Sequence, residues 1–173
     1  MWRAMAEGLL AGIRLLDLTN VLASPNCADQ CALLGADVIK VEAPGGDLAR
    51  ELGATPGLNR ARMGASFLAQ NAGKRSAVLD LKDTGDRARF LTLVDGADAL
   101  VETFRPGVMD RLGLGPAALH ARNPARVYCA ISGFGQTGPM RGNPASDQIV
   151  QGPSGVMSIT GTPAVAPLRA GYP

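Results

Sequence analysis

The feature that most constrains this chain is the stretch GADVIKVEAPGGD, Gly35 to Asp47. Val38, Ile39 and Val41 make Asp37 to Glu42 a short β-branched run, and Pro44, Gly45 and Gly46 close it at once. That pattern reads as a buried strand running into a glycine turn. In α/β sheets ligands bind just past the carboxyl ends of strands. Glycines there let backbone approach a ligand with no Cβ in the way. Asp47, with Arg50 three residues on, therefore marks a candidate ligand-facing edge. Taken alone, the same residues also describe an ordinary strand followed by a type I or II turn.

Strands are predicted at Ile13 to Leu18, Asp37 to Glu42, Ser76 to Asp80, Ala99 to Glu102 and Val127 to Ser132. Between the first two, Ser24 is an N-cap candidate, Pro25 a first helical residue and Gly35 a stop, which frames a helix over Pro25 to Leu34. Further helices are predicted at Ala65 to Asn71, at Asp86 to Asp95 with Thr84 as cap and Gly96 as stop, at Val108 to Leu112, at Ala117 to Arg122 and at Asp147 to Gln151. Strands alternating with helices argue for an α/β fold, a parallel sheet with helices on both faces. The end, GTPAVAPLRAGYP, is rich in proline and apolar residues and reads as a domain cut short.

With 173 residues, 46% hydrophobic and 18% charged, the chain is long enough for one domain with a real core. A net charge of +2 offers no basic surface of the kind nucleic acid requires. No apolar run approaches a membrane span, and the first 18 residues make a poor signal peptide, so a cytoplasmic location is the expectation. Cys27, Cys31 and Cys129 suggest neither a disulfide framework nor a zinc site. Helical spacing puts Cys27, Cys31 and Leu34 on one face, and buried packing is the expectation for it.

Gly133, Gly135 and Gly138 spell a dinucleotide fingerprint after a strand, but Pro139, Gly142 and Pro144 follow where a helix should open. A nicotinamide or flavin site is not expected. His120 has no nucleophile placed around it and is expected to be solvated at a helix end. Lys74, Arg75, Lys82, Arg105 and Arg111 all fall near strand ends. Solvated charges are one reading; an anion such as a nucleotide phosphate is the other.

Five segments carry a resemblance to a known family: GIRLLDLTNVLASP (12–25), LGADVIKVEAPGGDLAR (34–50), NAGKRSAVLDLK (71–82), ADALVETFRPGVMDRLGLG (97–115) and NPARVYCAISGFGQTGP (123–139). In this order and spacing the chain resembles the family III CoA-transferases, which include formyl-CoA transferase, carnitine CoA-transferase and the α-methylacyl-CoA racemases. The resemblance implies a Rossmann-like large domain binding coenzyme A at its strand ends, with residues 12–173 forming part of that domain behind an N-terminal extension, 1–11. It also implies an interlocked homodimer acting on an acyl-CoA and a carboxylic acid, with no metal.

Carried over position by position, the CoA contacts are Leu22 and Ala23, then Ala43, then Leu79 and Lys82. They continue with Thr103, Phe104, Arg105 and Arg111, and end with Ser146 and Asp147. Ala43 stands where formyl-CoA transferase has an arginine on the adenine, so a stacking contact of about 0.5 to 2 kcal/mol would be missing. The family's nucleophile is an aspartate that attacks the thioester, forming a mixed anhydride and then an aspartyl-CoA thioester. By the family's spacing it would come about three residues beyond Pro173, since Gln148 to Pro173 contains no Asp or Glu. No catalytic residue is therefore expected within the 173 residues. Asp147 matches a supporting acidic position, or is simply an N-cap.

The expected activity is CoA transfer, with this chain an N-terminal portion of the enzyme, inactive without the nucleophile. An acyl-CoA racemase of the same family is the alternative, and so is a non-catalytic CoA-binding or interaction module.

Overall fold

The computed structural model describes residues 8–21 and 23–171. The chain divides into two compact units, Met1–Ile131 and Ser132–Pro173.

The first unit is an α/β layer structure. In chain order it contains β1 (Arg14–Leu18), α1 (Ala23–Leu33), β2 (Asp37–Glu42), a 3-10 turn at Leu48–Glu51 and two short helices, α2 (Pro56–Arg60) and α3 (Ala65–Leu68). Then follow β3 (Arg75–Val78), α4 (Thr84–Asp95), β4 (Ala99–Glu102), α5 (Val108–Arg111), α6 (Pro116–Arg122) and β5 (Val127–Ala130). Every strand pair is parallel, and the sheet order is β3-β2-β1-β4-β5. The expected α/β fold with a parallel sheet is what forms. The strand order reverses between β1 and β4, which opens a crevice at the carboxyl ends of the strands.

Strand alternation sorts the core into two layers. Leu16, Leu18, Ile39, Val41 and Leu100 face Phe90 and Val94 of α4, Met109 of α5 and Leu119 of α6. Leu15, Val38 and Val101 face the other way, onto Ala28 of α1. Phe90 and Val94, four apart, form the buried stripe of α4, and each such side chain contributes about 2 kcal/mol by leaving water. The cap of α4 is Asp83, not Thr84: its carboxylate accepts from Asp86 N at 2.9 Å, and Thr84 is already helical. An ionised oxygen is the better acceptor for an orphan N–H.

The cysteine face is not buried as expected. Cys27 is exposed, Cys31 half-buried and Leu34 exposed. Helix α1 instead packs Ala28 onto the sheet with Cys31 and Ala32 partly buried beside it, and also buries Ser24 and Asp29. Within the excursion from β2 to β3, Gly64 permits a close approach of backbone to backbone. A Cβ there would meet the Ala49 carbonyl oxygen and lie 2.6 Å from that of Leu52.

The second unit contains helix α7 (Asp147–Gln151) and a 3-10 turn at Val156–Ile159. Gly133 to Gly138 form a loop and open no helix, so the dinucleotide fingerprint is absent in three dimensions. Exposed apolar side chains here include Ile159 at 85% and Val165 at 55%.

Candidate functional site

A cavity of about 320 Å³ lies at the carboxyl ends of the strands. Leu18 and Asn20 reach it from β1, Val41, Glu42 and Ala43 from β2, and Leu79 to Lys82 from the end of β3. Phe104, following β4, and Val108, Arg111 and Leu112 complete it. Five of the sequence candidates thus meet in one place: Ala43, Leu79, Lys82, Phe104 and Arg111. The walls are largely apolar, and the exposed Lys82 and Arg111 supply two cations. Such a lining suits a ligand that combines phosphate with hydrocarbon or an aromatic base.

The other candidates fall elsewhere. Leu22 lies outside the described residues. Ala23 is the first residue of α1, just past β1. The Thr103 hydroxyl accepts from Asn20 N at 3.3 Å, which ties the turn after β4 to the turn after β1. Arg105 is exposed and does not line the cavity. Ser146 and Asp147 belong to the second unit. Ser146 occupies the N-cap position of α7 without a side-chain cap bond, so Asp147 is not the cap. Its carboxylate accepts from Gln151 Nε2 at 2.7 Å and from Arg169 Nε at 2.9 Å.

Two of the five basic residues do not belong to any anion site. The ammonium of Lys74 is sealed from solvent and bonds Asp17 Oδ2 and Pro25 O, both at 2.8 Å, and Asn71 Oδ1 at 3.0 Å. Burial pulls its pKa down from the ordinary lysine range, and Asp17 resists that shift. Arg75 is bidentate on Asp37, which also takes Arg14. Lys74 immediately precedes β3 and Arg75 is its first residue, whereas Lys82 follows it. They neutralise carboxylates of the fold and leave the strand-end cations to Lys82 and Arg111.

Glu42, at the cavity wall, belongs to a buried charged layer that motif reading missed. Lys40, whose side chain is 1% exposed, pairs with Asp47 at 3.1 Å. Glu42 accepts from Arg50 at 2.7 and 2.6 Å, from Ser76 at 2.7 Å and from Asp47 N at 3.0 Å. Burial pushes the Glu42 carboxyl up, but the bonds from Arg50, Ser76 and Asp47 N outweigh it and hold the pKa at about 2. The Arg50 guanidinium also lies 3.7 Å from the ring centre of Phe67. The available signal was Lys40 and Glu42 alternating with Val and Ile inside a buried strand, which obliges each charge to find a partner.

On the other sheet face, Glu102 is buried and forms no ion pair among the described residues; it accepts from Phe104 N at 2.6 Å and from the Tyr128 hydroxyl at 3.4 Å, and burial raises its pKa. His120 is exposed and its Nε2 lies 3.0 Å from Arg126 O, in keeping with a solvated helix end. Among the described residues no group of three His, Cys, Asp or Glu side chains could hold a metal ion, and no helix is long and apolar enough to cross a membrane.

Comparison with known proteins shows which family the chain belongs to. The chain is 48% identical over 169 residues to acetyl-CoA:oxalate CoA-transferase of Acetobacter aceti, covering 97% of this chain and 42% of that protein. It is 45% identical over 168 residues to succinate–glutarate CoA-transferase of Agrobacterium fabrum, covering 94% and 42%. Among solved structures, a CAIB/BAIF family protein from Brucella suis superposes with a TM-score of 0.88 at 38% identity, covering 95% of this chain and 44% of that one. The chain thus spans less than half the length of the relatives it matches. Residues 10–173 match CoA-transferase family III, and the chain belongs to that family.

Proposed function

We propose that this chain forms CoA-holding surface of an enzyme that moves CoA from an acyl-CoA donor to a carboxylic acid. The observation that carries the reading is the strand-end cavity, where Ala43, Leu79, Lys82, Phe104 and Arg111 converge from four separate segments. Lys82 and Arg111 would take the phosphates. Leu18, Val41, Leu79 and Phe104 offer apolar contact to the uncharged parts of CoA. The names of the relatives support the same class of reaction, since each describes CoA passing between carboxylic acids.

In this proposal an aspartate carboxylate attacks the acyl thioester and expels CoA thiolate, leaving an acyl-aspartyl anhydride. The thiolate then attacks the aspartyl carbonyl, releases the donor acid and forms the aspartyl-CoA thioester. The acceptor carboxylate reverses these steps. By the family's spacing this aspartate lies about three residues past Pro173, so the 173 residues alone would hold CoA without turning it over. Thr103, Arg105, Ser146 and Asp147 remain proposed contributors to the full site, and an interlocked homodimer is part of the proposal. Transfer is favoured over racemisation by Ser146, which stands where the racemases carry a histidine. A serine hydroxyl, with a pKa far above 7, cannot exchange an α-proton at a useful rate.

Titration calorimetry with CoA tests the reading. Lys82→Ala and Arg111→Ala should each weaken binding about tenfold, the size of a lost charge-assisted hydrogen bond. Unchanged affinity in both variants would overturn the assignment of the cavity.

A further inference from the structure

Two non-glycine residues among those described adopt a left-handed backbone, Val21 with φ 71° and Arg62 with φ 60°. Val21 is the more strained of the two, because a β-branched side chain makes this conformation a genuine outlier. Such a residue persists only where its surroundings over-determine it. Val21 N donates to both carboxylate oxygens of Asp47, at 3.0 and 3.3 Å. Asp47 is paired in turn with Lys40, and Lys40 Nζ donates to Thr19 O at 2.9 Å, two residues before Val21. The side chains of Lys40 and Asp47 are 1% and 0% exposed, so this contact is neither screened nor shared with water. The same carboxylate caps Ala49 N at 2.9 Å.

One buried ion pair therefore ties the turn after β1 to the turn after β2. Both turns border the cavity: Asn20 lines it and immediately precedes Val21, and Ala43 lines it and begins the turn that Asp47 ends. Neither the Lys40 pairing nor the Ala49 cap requires a left-handed valine. A glycine would make the same turn at little cost. With valine, the conformation is conditional on the carboxylate that holds it.

We propose that Asp47 is a positioning residue of the CoA cavity: it holds Val21 in the left-handed conformation and so sets the course of the chain at Asn20, beside the cavity. This rests on the reading of the cavity as the CoA site. Loss of the hold lets Val21 relax to an extended or right-handed backbone and redirects the turn beside the ligand.

The test measures CoA affinity and thermal stability in the protein from its complete reading frame. The variants are Val21→Gly, Val21→Pro, Asp47→Asn, Asp47→Glu, and each Asp47 variant combined with Val21→Gly. Proline fixes φ near −65° and removes the donor while leaving Lys40–Asp47 intact, so Val21→Pro should stay folded and bind CoA at least tenfold more weakly. Val21→Gly alone should bind within about threefold of wild type, since glycine reaches the same φ freely. Asp47→Glu keeps the charge beside Lys40 but moves its oxygens off the Val21 amide; it should lose about tenfold in affinity, and Val21→Gly should restore most of it.

A purely structural role for Asp47 predicts no such rescue. Wild-type affinity in Val21→Pro, or no recovery in either double variant, overturns the inference while leaving the cavity assignment standing. If Asp47→Asn fails to fold, Asp47→Glu and its double variant decide. Absence of CoA binding by the wild type would overturn the cavity reading and this inference with it.

Discussion

Replacing Arg50 by methionine probes the buried charge layer directly. Glu42 is 4% exposed, and its pKa is held at about 2 against an ordinary 4.5. A difference of roughly 2.5 units, at about 1.4 kcal/mol each, corresponds to about 3 kcal/mol favouring the ionised folded form. Arg50 supplies the first of the bonds that lower it, and Ser76 and Asp47 N supply the rest. Loss of the guanidinium also removes the 3.7 Å contact with Phe67, worth about 1 kcal/mol. Arg50→Met is therefore expected to cost roughly 3 kcal/mol at pH 7, since the two remaining donors to Glu42 limit the damage.

The sign of the pH dependence follows from a depressed carboxylate. Glu42's contribution is complete above about pH 4.5 and is lost as pH falls towards about 2. The difference between wild type and Arg50→Met should accordingly shrink on acidification, towards the part due to Phe67 alone. Urea unfolding followed by circular dichroism at pH 7, 5, 4 and 3 measures this, and Glu42→Gln should flatten the same acid limb. A difference below about 1 kcal/mol at pH 7, or one that stays constant down to pH 3, would refute the claim that the pair is buried and coupled.

Glu102→Gln tests the opposite case: a carboxyl whose pKa is raised contributes most below its unfolded pKa and loses that contribution as pH rises. The amide keeps an acceptor for Phe104 N, so the variant should have a higher urea midpoint than wild type at pH 7, and that advantage should vanish below about pH 4. An advantage that persists undiminished into acid would mean that it does not come from ionisation of Glu102. Gly64→Ala should destabilise by about 2 kcal/mol or more in chemical denaturation, because the new methyl meets backbone oxygens of Ala49 and Leu52 that cannot rotate away. A neutral result would show that the segment from β2 to β3 packs more loosely. Thiol titration with an aromatic disulfide should label the exposed Cys27 ahead of the half-buried Cys31, with the exposed Cys129 between them, since burial pushes the thiols of both Cys31 and Cys129 up. Equal rates for all three would contradict the exposed face of α1.

The sequence by itself determined most of the elements, their alternation and the end of the sheet at which the cavity lies. These are local properties. A β-branched run closed by glycine or proline has few alternatives to a strand, and Asp37–Glu42, Ala99–Glu102 and the helix over residues 147–151 lie where local pattern puts them. The family followed from five motifs in order, for the same reason. What only the tertiary structure decided is which partner each charge meets. Lys74 and Lys82 sit at the two ends of one strand segment, yet one is sealed against Asp17, 57 residues away in sequence, and the other is exposed at the cavity. Cys27 and Cys31 share a helical face, but periodicity cannot say that the sheet would cover Ala28 and only part of Cys31 while leaving Cys27 exposed. Val21 carries no sign of a left-handed backbone, since its restraint is a carboxylate 26 residues on, brought near by the pairing of β1 with β2. Side-chain periods of 2 and 3.6 residues define faces; strand order and register define neighbours. Burial, ionisation and strain depend on neighbours.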